Sequence, residues 1–362
     1  MMTAPLKVGL VLSGGGAKGA YQVGVLRALR ELGTRIDAVS GASIGALNGG
    51  VLASSPSLDV AIERLEAVWE RLANDSPLSM KAPGYLALLA AAGLRIQGAG
   101  AVLGLVHAVK KIAGAFEFEL PSWLDGLDEG LLDDQPLKQL MDEFLDSKQL
   151  ATGIPLYVSL YRSNGGLQDL ASAFMAELGL SNTPDSEFVH IQSLEEDRRK
   201  QVLLASAAIP LLFASRKHGE KRYSDGGQGG WQTMQGNTPI TPLLEAGCNL
   251  VIVTHLSDGS PWSRQRFPDA TILEIRPQQS LNRATGLMSG AQDLLGFDVD
   301  KIPTWIEQGY QDTLHCVGRV MKAQQSRDEL RVAQAALAGI ASESASADAT
   351  LADAMARLSR QP

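Results

Sequence analysis

Two stretches near the start decide the reading: Val8–Gly19, VGLVLSGGGAKG, and Ala38–Gly45, AVSGASIG. In each, a short apolar run ends in small residues, and a helix-like pattern opens directly after. Strand, tight turn, helix is the setting in which a backbone turn can do chemistry. Gly41-Ala42-Ser43-Ile44-Gly45 fits G-x-S-x-G, the nucleophile elbow, in which a sharp turn lifts a serine hydroxyl clear of the sheet. Gly41 and Gly45 leave room for a strained backbone and for an approaching substrate.

Outward from these turns, Leu6–Leu12 reads as a buried strand. Ala17–Leu32 reads as a helix, with Val25, Ala28, Leu29 and Leu32 on one face and Gly33 as its stop. Ile36–Ser40 is a second strand. Ile44–Ala53 is a helix of small residues, and Leu58–Ala73 an amphipathic one. Further on, the pattern predicts helices over Pro136–Leu145 and Ser193–Ala208, with Asp133 or Asp134 capping the first. Strands are expected over Ile154–Tyr161, Phe188–Gln192, Asn249–Thr254 and Thr271–Ile275. Residues 211–215 and Lys221–Tyr223 suggest a hairpin around Gly219. A long helical pattern runs from Lys301 to Gln324. Strands alternating with helices define an α/β protein whose helices cover a largely parallel or mixed sheet.

Two regions stand apart. Residues 77–122 carry the apolar runs YLALLAAAGL and IQGAGAVLGLVHAV. They read either as helices packed on the protein's own core, or as a lid or interfacial segment that touches lipid. From Ser326 the chain is Ala-rich, a helical tail over 326–362, with a flexible break expected over Ser342–Asp348.

Composition narrows the function. A net charge of −8 offers no basic face, which argues against a nucleic-acid partner. Membrane contact must then be local and apolar. The two cysteines, Cys248 and Cys316, lack metal-site spacing and fit a reducing compartment. The N-terminus lacks the order of a signal peptide, and no run of about 18 apolar residues exists to span a bilayer. The expectation is a cytoplasmic protein without a transmembrane helix, peripheral at the membrane.

A serine that cleaves an ester needs a base, donors for the oxyanion and a pocket for the acyl group. Ser43 is the candidate nucleophile. Gly14, Gly15 and Gly16, just before a helix, can turn several N–H groups toward one point, where the helix dipole adds positive potential. Lys18 either adds to that potential or is solvated. The base has two candidates. Asp225 lies in Ser224-Asp225-Gly226-Gly227, a tetrapeptide that alone reads more simply as a hairpin turn. His255 follows the strand NLVIVT and would give the chain order Ser43, Asp225, His255 of an α/β-hydrolase triad. His107, His190, His218 and His315 lack a glycine-turn context.

GGGAKGAYQVGVLRAL, then GASIGALNG, then YSDGG, resemble in that order the three blocks of bacterial patatin-like phospholipases. LLASAAIPLLFA, NTPITPLLEAG and IEQGYQDTL are similar to that family too. The resemblance covers most of residues 6–320, and 77–122 is matched least. It implies a three-layer α/β/α fold, with the catalytic domain over 1–325. It also implies a Ser–Asp dyad without histidine: Ser43 as nucleophile and Asp225 as general base. Gly14, Gly15 and Gly16 match the oxyanion block, which Lys18 and Gly19 continue, and Gly226 and Gly227 complete the turn of the acid. The implied activity is serine acyl hydrolysis of membrane lipid or lysolipid through an acyl-enzyme, of phospholipase A or lysophospholipase type. No metal or other cofactor enters that scheme. Gln228–Gln235 looks longer than the family pattern, at the rim of the acyl pocket.

Two other classes compete. Gly14, Gly16 and Gly19 also spell G-x-G-x-x-G, a dinucleotide fingerprint that wants an acid at the end of the second strand. Asp37 sits instead at that strand's start. A regulatory protein that keeps the fold without turnover is the other, and the intact Ser43, Asp225 and glycine block argue against it.

Overall fold

Val8–Leu12 (β1) is buried along its whole length, as an uninterrupted run of aliphatic residues and glycine requires. The computed structural model describes residues 6–74, 135–177, 179–209, 213–281, 297 and 299–358. The 77–122 segment, and the cap expected at Asp133 or Asp134, lie outside the described residues. The chain divides into two units, Met1–Cys316 and Val317–Pro362.

In the first unit, a 3₁₀ turn over Gly16–Gly19 leads from β1 into α1, Ala20–Glu31. Then come β2 (Ala38–Gly41), α2 (Ile44–Ala53) and α3 (Leu58–Asn74). After them follow α4 (Gln135–Phe144), α5 (Ser147–Thr152), β3 (Leu156–Arg162), α6 (Gly166–Glu177) and β4 (Glu187–His190). Next are α7 (Glu196–Ser206), β5 (Arg216–His218), β6 (Lys221–Asp225) and α8 (Thr241–Glu245). The series closes with β7 (Leu250–Thr254), β8 (Thr271–Ile275) and the start of α9 (Lys301–Leu358).

The strands form one eight-stranded sheet in the order β5-β6-β3-β2-β1-β7-β8, with β4 paired to β3. It is mixed. β3, β2, β1, β7 and β8 run parallel, β4 and β6 pair antiparallel to β3, and β5 pairs antiparallel to β6. Alternation along β1 feeds two layers. Val11 packs with Ile240 and Leu243 at α8 on one face. Leu12 meets α2 on the other, close to Gly49. The three-layer α/β/α expectation is met.

Register on β3 brings two distant stretches together. β4 pairs with residues 157–160 of β3, overlapping the pairings of both β2 and β6. A strand has two edges, so β2 and β6 must share the edge that β4 leaves open. Gly41 ends β2 opposite Val158, and Asp225 ends β6 opposite Leu160. The two strands therefore run head-on into one point.

α1 and α9 cross at paired glycines. A Cβ on Gly24 would lie 1.8 Å from the Ile306 carbonyl oxygen, and one on Gly309 would lie 2.0 Å from that of Tyr21. Beside the crossing, the buried Tyr21 hydroxyl donates to Asp312 Oδ2 at 3.0 Å.

Two expectations change. Phe213–Ser215, the described part of the expected 211–215, carry no strand, and the hairpin's first strand is Arg216–His218. Its two-residue loop, with Gly219 at φ 64, fixes His218 opposite Lys221, so the partner strand must sit hard against the turn. And α9 continues through Ser342–Asp348 without a break. That stretch has no Pro or Gly, and its alanines favour helix enough to carry the serines. In the second unit Leu330, Leu337, Ile340, Leu351 and Met355 are exposed.

Candidate active site

Ser43 adopts φ 52 and ψ −126, a region that L side chains rarely enter. Close packing on both sides enforces it. A Cβ on Gly41 would lie 2.5 Å from the Gly45 carbonyl oxygen, and one on Gly45 would lie 2.0 Å from that of Leu12. The two glycines of the elbow are thus steric requirements. The Ser43 amide donates to the Ser206 hydroxyl at 3.1 Å.

Asp225 ends β6, and its amide donates to the Ala208 carbonyl at 2.9 Å. Its carboxylate accepts the Gly227 amide at 2.8 Å and lies close enough to the Ser43 side chain for that hydroxyl to favour its ionised form. Both side chains are buried, each residue only 7% exposed. Burial raises the Asp225 pKa from 3.8 to about 6, against the opposing pull of the Ser43 hydroxyl and the Gly227 amide. Gly226 leaves no space for a side chain: a Cβ would lie 2.0 Å from the Ser159 carbonyl oxygen. Its own carbonyl accepts from the Ser159 and Ser186 hydroxyls. The Asp-Gly-Gly turn is therefore held from below by two serines of neighbouring segments.

The glycine loop lies against Ser43. A Cβ on Gly14 would come within 3.1 Å of the Ser43 Cβ. Asn237 grips Gly14 twice: its carbonyl accepts the Gly14 amide at 3.3 Å, and its Nδ2 donates to the Gly14 carbonyl at 3.4 Å. The Asn237 Oδ1 also stands 2.8 Å from where a Gly227 Cβ would be. One side chain thus touches both the glycine loop and the turn of the acid. Because the Gly14 N–H is engaged, it shapes the loop. The amides of Gly15, Gly16 and Ala17 have no acceptor among the described residues. Gly16 sits at φ 57, where glycine alone is unstrained. Lys18 is half-buried in the 3₁₀ turn that follows, and Gly19 closes that turn.

The loop's two ends are tied down by a buried chain of amides. Gln22 Nε2 donates to the Ser13 carbonyl at 2.7 Å. Asn48 Nδ2 donates to the Gly19 carbonyl at 3.0 Å and to Gln22 Oε1 at 2.8 Å. Asn237, Gln22 and Asn48 were not singled out from the sequence. A signal was present for two of them. Asn48 is the lone polar side chain in IGALNGGVLA, and Gln22 interrupts AYQVGVL, so each must bury an amide that needs partners.

His255 is brought together with neither Ser43 nor Asp225 by any hydrogen bond among the described residues. It is 1% exposed, its Nε2 lies 3.2 Å from Glu274 Oε2, and its ring packs on Trp262. Burial pushes its pKa down, against the Glu274 hydrogen bond. Asp37 accepts the Val8 amide at 2.8 Å, at the start of β1, while the glycine loop leaves that strand's far end. The acid that a dinucleotide fingerprint wants is thus at the wrong end of the sheet.

An apolar cavity begins at Ile44, the residue after Ser43. It holds only about 40 Å³ and lies among α2, α3 and α4, with Leu47, Val51, Trp69, Met141 and Leu145 in its walls. Among the described residues no group of His, Cys, Asp and Glu is arranged to hold a metal.

A 62-residue stretch is 58% identical to part of the patatin-like phospholipase domain-containing protein ZK370.4 of Caenorhabditis elegans, covering 17% of this chain and 4% of that protein. A 46-residue stretch is 61% identical to lysophospholipase nte1 of Aspergillus terreus, covering 13% of this chain and 3% of that one. The matched stretches thus span only a few per cent of those relatives. The crystal structure of VipD from Legionella pneumophila aligns over 88% of this chain and 68% of its own, at 14% identity and a TM-score of 0.39. Residues 10–244 match the family of patatin-like phospholipases. With the strained serine elbow, the buried acid and the glycine loop all inside that span, the chain belongs to the patatin-like phospholipase family.

Proposed function

We propose that the protein is a serine acyl hydrolase that cleaves carboxylic esters of membrane lipids or lysolipids, of phospholipase A or lysophospholipase type. The observation that carries this reading is a serine on a strained elbow set beside a buried aspartate whose pKa is raised to about 6. Ser43 Oγ attacks the ester carbonyl while Asp225 takes its proton. The amides of Gly15 and Gly16, beside Gly14, receive the oxyanion. Asp225 then returns the proton to the departing alcohol or lysolipid. Water cleaves the acyl-enzyme, with Asp225 again as base. A carboxylate with an ordinary pKa is a poor base near neutrality, and its burial here suits it to the task.

The reading extends to the whole chain. Residues 1–325 form the catalytic domain and 326–362 a helical tail. The 77–122 segment meets the membrane surface, and the protein works in the cytoplasm. Two free cysteines are compatible with that compartment. Among the described residues, no helix is long and apolar enough to cross a membrane. The ground for a bacterial member of the family is the likeness of the three motif blocks to bacterial sequences of that family.

The test is hydrolysis of p-nitrophenyl butyrate and of lysophosphatidylcholine by purified protein. Ser43→Ala and Asp225→Asn should each abolish both activities with the fold intact. Unchanged turnover in either variant would overturn the dyad.

A further inference from the structure

Residues 203–214, LLASAAIPLLFA, supply no reacting group, yet their middle touches both members of the proposed dyad. Ser206 ends α7, and Ala207 and Ala208 lead the chain out of it. The Ser206 hydroxyl accepts the Ser43 amide at 3.1 Å, and the Ala208 carbonyl accepts the Asp225 amide at 2.9 Å. A stretch of three residues thus holds the backbones of both. That stretch is stiff. The Ala208 amide donates to the Ala205 carbonyl at 3.1 Å, and the Ile209 amide to the Ala207 carbonyl at 3.0 Å. Ser206, Ala207 and Ala208 are all buried, so water does not compete for these bonds. α7 is itself seated on the helix that follows the elbow: a Cβ on Gly50 would lie 3.1 Å from Leu203 Cδ1.

The two ties differ in what backs them. Asp225 is also held by strand pairing opposite Leu160. The Ser43 amide has Ser206 as its one acceptor among the described residues. Main chain supplies the elbow's other ties: the Leu12 carbonyl takes the Ala42 amide, and the Ala42 carbonyl takes that of Gly45. A serine at φ 52 must be held against its backbone preference, and a buried N–H without an acceptor is costly. We infer that Ser206 is a positioning residue, whose hydroxyl fixes the Ser43 backbone and so aims the Ser43 side chain at Asp225. The inference rests on the reading of Ser43 as the nucleophile of an acyl hydrolase. Alanine at 206 leaves the Ala208 carbonyl in place, so it releases the serine and not the acid. Asp225 is governed by its burial, the Ser43 hydroxyl and the Gly227 amide, with no charged side chain acting on it among the described residues. The hydroxyl favours the ionised acid, so a misaimed hydroxyl leaves Asp225 harder to ionise. The loss therefore falls on kcat and on the pH profile, while substrate affinity is spared.

The experiment measures kcat, KM and the pH profile of kcat/KM on p-nitrophenyl butyrate for wild type, Ser206→Ala, Ser206→Cys and Val202→Ala, with folding checked by circular dichroism. Ser206→Ala should lower kcat by about tenfold or more, keep KM within about twofold, and move the acid limb upward from about 6. Ser206→Cys puts a weaker acceptor in nearly the same volume, and should fall between wild type and Ser206→Ala in both kcat and limb. Val202→Ala opens a cavity under the same helix, and should melt lower yet keep the wild-type limb. A Ser206→Ala enzyme with wild-type kcat and limb would overturn the inference. So would an equal shift of the limb in Val202→Ala, because packing of α7 and not the hydroxyl would then be responsible. If Ser206→Ala does not fold, Ser206→Cys decides, and wild-type kcat and limb in that variant sink the inference. Failure of the underlying hydrolase reading looks different: Ser43→Ala would then still cleave the ester.

Discussion

The Asp225 carboxylate and the Ser43 hydroxyl lie side by side, the hydroxyl favouring the ionised acid, at the point where β6 and β2 run head-on along one edge of β3. Sequence separates the two residues by most of the domain, and strand register closes the gap. The proposed dyad is therefore a product of sheet topology: antiparallel entry of β6 delivers its last residue to the end of a parallel strand.

The pH dependence of turnover follows from the burial of that acid. Asp225 acts as a base only when ionised, and its pKa stands near 6. The value of kcat/KM should rise with pH through an acid limb centred near 6 and level off above it. An initial-rate profile on a soluble ester checks this. An acid limb near 4 would mean that the acid is not held in a dry site.

The same shift has a stability consequence of opposite sign. With a folded pKa near 6 and an ordinary value of 3.8, the folded state binds the proton more tightly. Ionising Asp225 therefore costs stability as pH rises from about 4 through 6, and the full cost, about 3 kcal/mol, remains above that window. Asp225→Asn should be inactive yet melt higher than wild type at pH 8. The difference should fade as pH drops toward 4. Melting curves of both proteins across that range test it, and equal melting temperatures at pH 8 would count against the burial argument.

His255 should prove structural. Its ring is sandwiched between Glu274 and Trp262 in the sheet's far half, where β7 and β8 pair. His255→Ala should keep kcat within about twofold once corrected for folded fraction, and lose about 2–4 kcal/mol of stability through the cavity and the lost hydrogen bond to Glu274, which keeps its pairing with Arg276. Urea denaturation alongside an ester assay separates the two effects. A folded but dead variant would restore the triad.

Gly309→Ala tests the crossing of α1 and α9. The added methyl would lie 2.0 Å from the Tyr21 carbonyl oxygen, so the helices must part. A loss of about 1–3 kcal/mol or more is expected, seen as a lower urea midpoint at unchanged slope. A neutral substitution would show that the close contact carries no weight.

Much of this was legible in the sequence because each feature was local. The strand–turn–helix pattern around Gly14 and Ser43 placed β1, β2 and α2 within two residues, since glycine there is a steric demand with few alternatives. Asp225 was harder. Its Asp-Gly pair is written the same way in any hairpin, and only the pairing of Leu160 with Asp225 distinguishes it. Family resemblance, not spacing, raised it above His255. Asn237 escaped because its partner is the Gly14 backbone, which leaves no mark on side-chain pattern, whereas Gln22 and Asn48 do show as polar interruptions of apolar runs without showing what they bind. The expected break at Ser342–Asp348 failed because serine is a weak breaker among alanines.

The dyad itself is best tested by intact-mass analysis after treatment with an alkyl fluorophosphonate. Ser43 Oγ would bond to phosphorus, fluoride would leave, and the serine proton would pass to Asp225. Wild type and His255→Ala should each gain a single adduct that peptide mapping places on Ser43, while Asp225→Asn should label far more slowly and Ser43→Ala not at all. An adduct on another residue, or labelling of Asp225→Asn at the wild-type rate, would contradict the pairing of Ser43 with Asp225.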